Sequence, residues 1–364
     1  MRMFLMAKLF ETHNKSQIII YCYSFGPITN DEMQNRVRDA VHVFRNVSDL
    51  SDKQVAEIAR KDGIDIAVDL KGYTQDARPS IFSYRAAPIQ INYLGYPGTM
   101  GSSFMDYIIG DKTVIPEGSQ KYYSEKVIYL PDSYQVNDNT RKISNLKLTR
   151  TDVGLPSKGF VFCCFNNTYK ITRIEFDIWM RLLARIEKSV LWLFQTNSWA
   201  VQNLRKEAEK RGIDPHRLIF AERQPLAEHL ARHRLADLFL DTFNYNAHTT
   251  ASDALWAGLP VLTKTGEGFA ARVGASLLGA LELTELITTT KEEYEAKAIE
   301  LAENPEKLSA LKDKLSKNRS AAPLFDTELF TRHLEHAYEK AYNQWFEGKK
   351  PDVINIQSLA MKDK

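Results

Sequence analysis

A short polar segment between two apolar runs carries the residues best suited to bind an anionic ligand. His248-Thr249-Thr250 follows an apolar run that ends in Asp241, and it opens a predicted helix that includes Asp253. The first N–H groups of a helix have no partner within it, and the helix dipole favours negative charge at that end. The stretch therefore predicts a phosphate site, with Asp253 placed to accept hydrogen bonds from sugar hydroxyls. An ordinary Thr-capped helix packed on a sheet is the simpler interpretation of this stretch taken alone.

Two candidate phosphate ligands follow an earlier strand. The apolar run 159–165 predicts a strand, and Asn167 and Lys170 come directly after it, before a predicted helix. A lysine ammonium group at the carboxyl end of a strand could neutralise a phosphate as a point charge. A solvated surface lysine is the commoner case, so Lys170 taken alone is open to both interpretations.

Two further stretches hold candidate binding groups. The helix predicted over 226–235 carries His229 and Arg232 three residues apart, so both side chains share one face. An ordinary exposed helix face is the alternative there. In the N-terminal half, residues 95–101 follow a predicted strand and contain three glycines and Pro97, which lets a ligand approach the backbone closely. A plain turn is the alternative, because this loop contains no charged residue.

The elements that position these residues alternate between short apolar strands and longer helices. Such alternation predicts parallel βαβ units, in which ligands bind at the carboxyl ends of the strands. The predicted strands are 18–23, 64–70, 89–94, 107–110, 127–130, 159–165, 190–194, 218–221, 238–241 and 261–262. The predicted helices are 1–10, 31–44, 52–62, 172–187, 199–211, 226–235, 248–257, 269–278, 292–302, 305–317 and 326–346.

The polar, aperiodic residues 132–158 predict a linker between two domains. We place the boundary near residue 150, which gives an N-terminal domain of residues 1–150 and a C-terminal domain of residues 151–364 that includes the long last helix. The chain opens on the second half of a helix that no capping residue precedes. We therefore expect the start of the first α/β domain to be missing.

Composition and charge exclude several classes of protein. At 364 residues the chain is long enough for two domains, and 44% hydrophobic with 26% charged residues is typical of a globular protein. A net charge of +2 gives no reason to expect nucleic acid or an anionic membrane as partner. Three cysteines are too few for a disulfide framework, and no apolar run reaches the roughly 20 residues of a membrane span. We expect a cytoplasmic protein.

Several kinds of catalytic chemistry have no motif in this sequence. Neither a CxxC pair or a carboxylate cluster at metal-binding spacing nor a GxSxG, Walker or GxGxxG motif is present. A metal site, a hydrolase triad, an ATPase and a dehydrogenase therefore lose support. Two α/β domains that face each other across a cleft would suit a nucleotide-sugar donor.

Several blocks of residues appear in a fixed order along residues 17–345. They are Gly72-Tyr73-Thr74 with Ala77-Arg78, Arg85-Ala86-Ala87-Pro88-Ile89-Gln90, Leu94-Gly95-Tyr96-Pro97-Gly98-Thr99-Met100-Gly101, Phe104-Met105-Asp106-Tyr107, Tyr123-Ser124-Glu125-Lys126, Cys164-Phe165-Asn166-Asn167-Thr168-Tyr169-Lys170-Ile171, His248-Thr249-Thr250 with Asp253-Ala254-Leu255-Trp256-Ala257-Gly258, and Ala271-Arg272-Val273. Together these blocks resemble the catalytic region of the O-linked N-acetylglucosamine transferases.

The resemblance implies the fold, the reaction and the main catalytic group. It implies an α/β GT-B fold, with two Rossmann-like domains facing across a cleft and the first of them incomplete. It also implies an inverting transfer from UDP-N-acetylglucosamine to Ser or Thr hydroxyls of proteins, without a metal or another cofactor. Lys170 would be the catalytic group, because negative charge grows on the leaving UDP as the glycosidic bond breaks.

The resemblance also implies which residues would contact the donor. Carried over by matching positions, these are Asn167, His248, Thr249 and Thr250 at the diphosphate, Asp253 at the ribose, His229 and Arg232 beside the uracil, the backbone near Gln224 at the edge of the uracil, and Gly95 and Pro97 at the sugar.

Departures from the family pattern change what we expect of this chain. The family's tetratricopeptide array and its upstream Asp-Phe-x-x-His-Pro segment are both absent from the sequence. In addition, Asn167 stands where animal members carry Gln, and Leu226 where they carry a base-contacting Lys. We therefore expect a truncated catalytic region that binds a UDP-sugar and is weak or inactive.

Two alternative functions remain open at this point. A related transferase could use GDP-fucose or UDP-glucose, and a guanine donor would require a different base pocket around residues 224–232. A non-catalytic nucleotide-sugar-binding protein is the alternative from another class. The acceptor protein, the general base and the oligomeric state have no signal in the sequence.

Overall fold

A computed structural model describes residues 3–360 of the chain, which divide into two compact units. Unit 1 comprises the chain up to Thr140 together with the part from Pro323 onward, and unit 2 runs from Arg141 to Ala322. Within residues 3–360, no helix is long and apolar enough to cross a membrane.

The helices and strands of both units are numbered together along the chain. The helices are α1 (Met3–Thr12), α2 (Glu32–Ala40), α3 (Asp52–Lys61), α4 (Ser80–Ser83), α5 (Arg173–Arg185), α6 (Ser198–Glu209), α7 (Leu226–Arg232), α8 (Thr249–Trp256), α9 (Val273–Gly279), α10 (Lys291–Glu303), α11 (Pro305–Ala321) and α12 (Thr327–Phe346). The strands are β1 (Tyr21–Ser24), β2 (Val43–Asn46), β3 (Ile66–Asp69), β4 (Ile89–Asn92), β5 (Tyr107–Asp111), β6 (Lys126–Leu130), β7 (Val161–Cys164), β8 (Val190–Phe194), β9 (Leu218–Ala221), β10 (Leu238–Leu240), β11 (Val261–Lys264), β12 (Ile287–Thr288) and β13 (Ile354–Asn355).

Unit 1 is built on a parallel five-stranded sheet in the order β13-β6-β5-β4-β3, and β1 pairs with β2 in a separate parallel ribbon. Helix α12 packs on β4, β6 and β13. Its buried face includes Leu334, Ala337 and Ala341, which recur at helical spacing. Asp326 begins the helix by accepting a hydrogen bond from the N–H of Leu329.

Unit 2 is built on a parallel six-stranded sheet in the order β9-β8-β7-β10-β11-β12. The chain runs outward from β7 to β9, returns to lie beside β7, and runs outward again from β10 to β12. This is the Rossmann strand order, and it reverses between β7 and β10. Every residue of β7 is buried, as expected of a central strand covered on both faces. A ligand of such a sheet binds beyond the carboxyl ends of β7 and β10.

The structure corrects the predicted domain boundary. It places the division after Thr140, earlier than the predicted residue 150, and assigns the last helix to unit 1 although it was predicted in the C-terminal domain. The physical reason is that α12 buries its apolar face on strands of unit 1. Part of the predicted linker is also buried, since Tyr134 and Val136 are inaccessible to solvent. Of the predicted domains 1–150 and 151–364, residues 1, 2 and 361–364 lie outside the described part of the chain.

Most predicted elements are present, and the exceptions are short. Strands β8 and β9 have the predicted bounds, and α1 matches the predicted helix 1–10, whose first two residues lie outside the described part. The helix predicted over 31–44 is wrong at its end, because β2 begins at Val43 and pairs with β1. Strands β12 and β13, of two residues each, were not predicted. Such short strands are defined by their neighbours in the sheet, so their own sequence carries no period.

The turn before β7 provides a test of the packing in unit 2. Gly159 has φ +107°, and a Cβ there would lie 2.2 Å from the backbone oxygen of Lys188. We expect Gly159→Ala to lower the free energy of unfolding by roughly 2 kcal/mol or more, because strain and a backbone clash add. Gly279→Ala is the matched control, since its Cβ would meet nothing within 4 Å at the end of α9. Urea denaturation measures both, and equal midpoints for the two variants would contradict this prediction.

Candidate functional site

The loops that follow β7 and β10 meet where the strand order of unit 2 reverses. After β7, Asn167 begins the 3₁₀ helix Thr168–Lys170 by accepting a hydrogen bond from the N–H of Tyr169. After β10, residues 241–247 form a loop that leads into α8. Strands β7 and β10 are paired neighbours, so the two loops leave the same edge of the sheet. The predicted phosphate ligands of both stretches therefore lie in one region.

The side chain of Lys170 reaches the loop after β10. Its Nζ donates a hydrogen bond to the backbone oxygen of Asn246 at 2.9 Å and lies 4.0 Å from the ring centroid of Tyr245. Burial lowers the pKa of Lys170, and the carboxylate of Asp241 acts in the opposite direction. Lys170 is therefore a partly buried cation fixed beside the segment that leads into α8, and the solvated-lysine interpretation is wrong.

Helix α8 begins without a side-chain cap. Its N-cap is His248, whose side chain makes no capping hydrogen bond, and the N–H of Ser252 donates the first backbone bond, to the oxygen of His248. The N–H groups of Thr249 and Thr250 precede this ladder, and both residues are partly exposed. The simple Thr-capped helix is therefore not what forms here. The start of α8 keeps the backbone donors that an anion needs.

The imidazole of His248 is neutral and held in place. Its Nε2 lies 3.1 Å from the backbone oxygen of Ala270, and because a carbonyl only accepts, this nitrogen carries the proton. The ring stacks on Tyr245, with the centroids 4.8 Å apart. Burial and the charge of Lys170 lower the pKa of His248 to about 3. Near neutral pH the positive charge in this part of the site therefore comes from Lys170.

Asp253 is paired with a cation that sequence reasoning missed. Its carboxylate forms a buried ion pair with Arg141, whose guanidinium lies 5.8 Å from the ring centroid of Trp256. Trp256 in turn donates its Nε1–H to the backbone oxygen of Arg141 at 3.1 Å. Burial raises the pKa of Asp253, and Arg141 opposes that shift. The sequence signal was indirect: a carboxylate on the buried face of a helix needs a partner.

His229 and Arg232 contact each other, as their spacing predicted. Arg232 donates from Nη2 to Nδ1 of His229 at 2.6 Å and from Nη1 to the oxygen of Glu222 at 2.6 Å. Its guanidinium lies 4.7 Å from the ring centroid of Phe165, directly after β7. Arg232 is buried, so the exposed-face interpretation is wrong for it. This pair lies against residues at the carboxyl end of the sheet, on the β7 side of the point where the strand order reverses.

The remaining predicted residues lie on loops. Asn167 and Gln224 are exposed, the first after β7 and the second just before α7. Gly95 and Pro97 lie in unit 1, in the loop after β4, and both are partly exposed. Asn92 holds this loop by donating to the oxygen of Gly98 at 3.0 Å. Among residues 3–360, no group of three or more His, Cys, Asp or Glu side chains is arranged to hold a metal ion.

The fold and the site define the class of the protein. HepE from Anabaena, in complex with UDP and glucose, shares the fold with a TM-score of 0.57 at 14% identity, over 88% of this chain and 91% of that one. Parallel α/β units with a Rossmann-type sheet and structural neighbours of this kind define a GT-B type glycosyltransferase fold. The predicted fold class is confirmed.

Sequence comparison then identifies the family. The model of glycosyl transferase family 41 matches residues 2–149 and 143–334, so the chain belongs to that family. The probable UDP-N-acetylglucosamine–peptide N-acetylglucosaminyltransferase SEC of Arabidopsis thaliana is 38% identical over 358 residues, 97% of this chain and 37% of that protein. A mutant O-GlcNAc transferase of Thermobaculum terrenum has a TM-score of 0.88 at 30% identity, over 96% of this chain and 66% of that one. The chain thus spans well under half the length of SEC, and the resemblance seen in the sequence is confirmed.

A buried histidine next to the Arg232 pair makes unit 2 sensitive to acid. His233 donates from Nδ1 to the oxygen of His229 at 2.7 Å, and burial lowers its pKa to about 4. The unfolded chain protonates this imidazole more readily than the folded chain does. The free energy of unfolding is therefore highest above about pH 6.5 and decreases as the pH falls toward 4. Between pH 7 and pH 4, we expect His233→Gln to lose about 3 kcal/mol less of its free energy of unfolding than the wild type loses.

Urea denaturation between pH 7 and pH 4 measures this effect. His216→Gln, which replaces an exposed histidine of the same unit, is the control and keeps the pH dependence of the wild type. The assignment to His233 fails if His233→Gln and the wild type lose stability in parallel over this interval.

Proposed function

We propose that this chain is the catalytic region of a protein O-linked N-acetylglucosamine transferase. It binds UDP-N-acetylglucosamine in unit 2 and transfers the sugar to Ser or Thr hydroxyls of a protein with inversion at the anomeric carbon. It uses neither a metal ion nor a further cofactor. The observation that carries the proposal is the fixed position of Lys170 beside the segment that leads into the uncapped start of α8.

These two features supply what a diphosphate requires. The ammonium group of Lys170 donates one hydrogen bond to the backbone oxygen of Asn246. Because a lysine ammonium has three N–H groups, it can also donate to a diphosphate. Thr249 and Thr250 contribute backbone N–H groups at the positive end of the α8 dipole. Asn167 borders the same region from the loop after β7. A diphosphate held between these loops meets a charge on one side and oriented dipoles on the other.

The same groups would lower the barrier of the transfer. The acceptor oxygen forms a bond to the anomeric carbon from one face and gives up its hydroxyl proton to a base. The bond from that carbon to the UDP oxygen breaks on the other face, and its electron pair leaves with UDP. Negative charge therefore accumulates on the departing diphosphate. Lys170 and the start of α8 are already in place when this charge develops, so no reorganisation is needed to stabilise it.

The nucleoside would occupy the neighbouring loops. His229 and Arg232 border the base, with the backbone near Gln224 at its edge, and Asp253 accepts from the ribose hydroxyls. The hydrogen bond from Arg232 leaves His229 neutral, and burial lowers the pKa of His229 to about 2. A neutral imidazole can pack against a base without the cost of a buried charge. For Gly95 and Pro97, which lie in unit 1, contact with the sugar stays a prediction of the resemblance.

The names of similar proteins support the choice of donor. SEC and the Thermobaculum terrenum protein are both named for N-acetylglucosamine transfer, and the identity extends over almost all of this chain. Relatives named SPINDLY, probable peptide N-acetylglucosaminyltransferases, are 28–29% identical. Transfer from GDP-fucose or UDP-glucose, and nucleotide-sugar binding without transfer, are the outcomes that the experiments below distinguish from the proposal.

Lys170→Ala tests the diphosphate site. We expect UDP affinity to fall by about 1–3 kcal/mol, because a charged hydrogen bond to the diphosphate is lost. Calorimetric titration with UDP, and with GDP in parallel, measures this change. Lys206→Ala removes an exposed lysine on α6 and serves as the matched control. The proposed diphosphate site is wrong if Lys170→Ala and Lys206→Ala bind UDP equally well. Tighter binding of GDP than of UDP by the wild type would favour a guanine-nucleotide donor.

Donor choice and metal use are tested by transfer itself. We expect label from UDP-N-acetylglucosamine, and not from UDP-glucose or GDP-fucose, to enter Ser/Thr peptides, and we expect an excess of EDTA to leave the rate unchanged. The EDTA result follows because Lys170 and the α8 dipole supply the positive charge that a metal ion would otherwise provide. UDP binding without transfer from any donor, also when the family's upstream Asp-Phe-x-x-His-Pro segment is present, would favour the non-catalytic alternative. Loss of transfer in EDTA would contradict metal independence.

A further inference from the structure

The carboxylate of Asp241, directly after β10, lies completely buried among the donor-site loops. Its Oδ1 accepts hydrogen bonds from the backbone N–H of Thr242 at 2.8 Å and of Ala247 at 2.6 Å. Its Oδ2 accepts from the hydroxyl of Thr263 on β11 at 2.7 Å. Asn166, after β7, adds a longer bond of 3.3 Å to Oδ1. One side chain thus connects the ends of three neighbouring strands.

The two backbone hydrogen bonds of Asp241 determine the shape of the loop that follows it. Thr242 and Ala247 are the first and last residues of the segment 242–247, and both donate to the same carboxylate oxygen. This arrangement brings the two ends of the segment together. The segment therefore returns on itself before it enters α8, and its geometry depends on a single acceptor atom.

Asn246 transmits that geometry to Lys170. Its backbone oxygen accepts the hydrogen bond from Nζ of Lys170. Its side-chain amide donates to the oxygen of Thr242 at 2.7 Å and accepts from the N–H of Gly274 at 3.2 Å. Because Ala247 is the next residue and is held by Asp241, the oxygen that receives Lys170 is fixed relative to the carboxylate.

The packing around Asp241 leaves room for a carboxylate and little else. A Cβ on Gly274, at the start of α9, would lie 2.8 Å from Oδ2 of Asp241 and 2.5 Å from the hydroxyl of Thr263. The absence of a side chain at Gly274 is therefore what lets α9 approach this carboxylate. A buried carboxylate is costly unless it is hydrogen-bonded and paired with a cation.

Charge links Asp241 to Lys170 in addition to geometry. Burial raises the pKa of Asp241 and lowers the pKa of Lys170, and the charge of each opposes the shift of the other. The other titratable groups that act on Lys170 are uncharged near neutral pH. Burial raises the pKa of the Cys164 thiol and lowers the pKa of the His248 imidazole. Asp241 is thus the negative charge that favours the ammonium form of Lys170.

We propose that Asp241 is the positioning residue of the donor site, holding both the 242–247 loop and the ammonium form of Lys170 in place for the diphosphate. The role toward the diphosphate rests on the proposed function, whereas the coupling of Asp241 to Lys170 is a property of the protein alone. Asp241 does not touch the donor in this proposal, because its carboxylate is fully buried and its oxygens are used within unit 2.

Asp241→Asn separates the charge from the hydrogen bonds. The amide oxygen can still accept from Thr242 and Ala247, and the amide nitrogen can donate to the hydroxyl of Thr263. Labelling lysines with ¹³C at Cε lets NMR follow the titration of Lys170, whose signal is assigned by its loss in Lys170→Arg. We expect the midpoint of this titration to move to lower pH by about one unit in Asp241→Asn, since the opposite charge is gone. Asp313→Asn, which removes an exposed carboxylate on α11, leaves the midpoint unchanged.

Calorimetric titration with UDP across the same pH range gives the second measurement. In the wild type, affinity falls as the pH rises through the pKa of Lys170, and in Asp241→Asn the same fall occurs at lower pH. A purely structural role would lower affinity at every pH without moving this midpoint. If the wild type does not bind UDP while the Lys170 midpoint still moves in Asp241→Asn, the proposed function fails and the coupling of Asp241 to Lys170 stands.

A folded Asp241→Asn protein whose Lys170 midpoint matches that of the wild type would overturn the proposal. If Asp241→Asn does not fold, Lys170→Gln replaces it, because the coupling between the two charges is reciprocal. With aspartates labelled with ¹³C at Cγ, we expect the midpoint of the Asp241 titration to move to higher pH by about one unit in Lys170→Gln, since the cation that favours the carboxylate is gone. An unchanged Asp241 midpoint in folded Lys170→Gln would likewise overturn the proposal.

Discussion

The buried carboxylate at the end of β10 is the constraint on which the rest of the candidate site depends. A charge removed from water persists only where hydrogen bonds and an opposite charge replace its solvation. Asp241 obtains the hydrogen bonds from its own loop and from β11, and the opposite charge from Lys170. The hydrogen bonds that replace the solvation of Asp241 therefore also fix the backbone that leads to α8. The reversal of strand order between β7 and β10 is what brings Lys170 close enough to serve.

Burial also determines which side chains in this region carry a positive charge, because it keeps the histidines neutral. Three histidines lie at the loops of the candidate donor site: His229, His233 and His248. Burial lowers the pKa of each far below neutrality. They act as neutral hydrogen-bonding and stacking groups. An anion at the start of α8 would therefore be attracted by Lys170 and by backbone dipoles. Lys170 and the loop before α8 are held by hydrogen bonds within unit 2, and groups already in place are the condition for stabilising charge that develops during a reaction.

The sequence predicted those parts of the site whose signal is local. The order of strand, loop and helix around His248 and the contact of His229 with Arg232 follow from spacing alone, and the structure has both. Strands such as β8 can be predicted because few other structures suit a short, continuous apolar run bounded by polar residues. The parallel α/β architecture followed from the alternation of such runs with helices, whereas the GT-B fold and the family followed from the order of the blocks.

The parts that the sequence did not reveal depend on partners far along the chain. Arg141 lies in a polar segment without periodicity, and only the folded chain brings it to Asp253, more than a hundred residues later. The same holds for α12, whose apolar face was evident while the sheet that it covers was not. Asp241 is the clearest case, because an acidic residue at the end of a strand reads as the start of a surface turn. Its importance appears only when the groups that donate to it are counted, and those groups come from loops whose adjacency is set by the topology of the sheet.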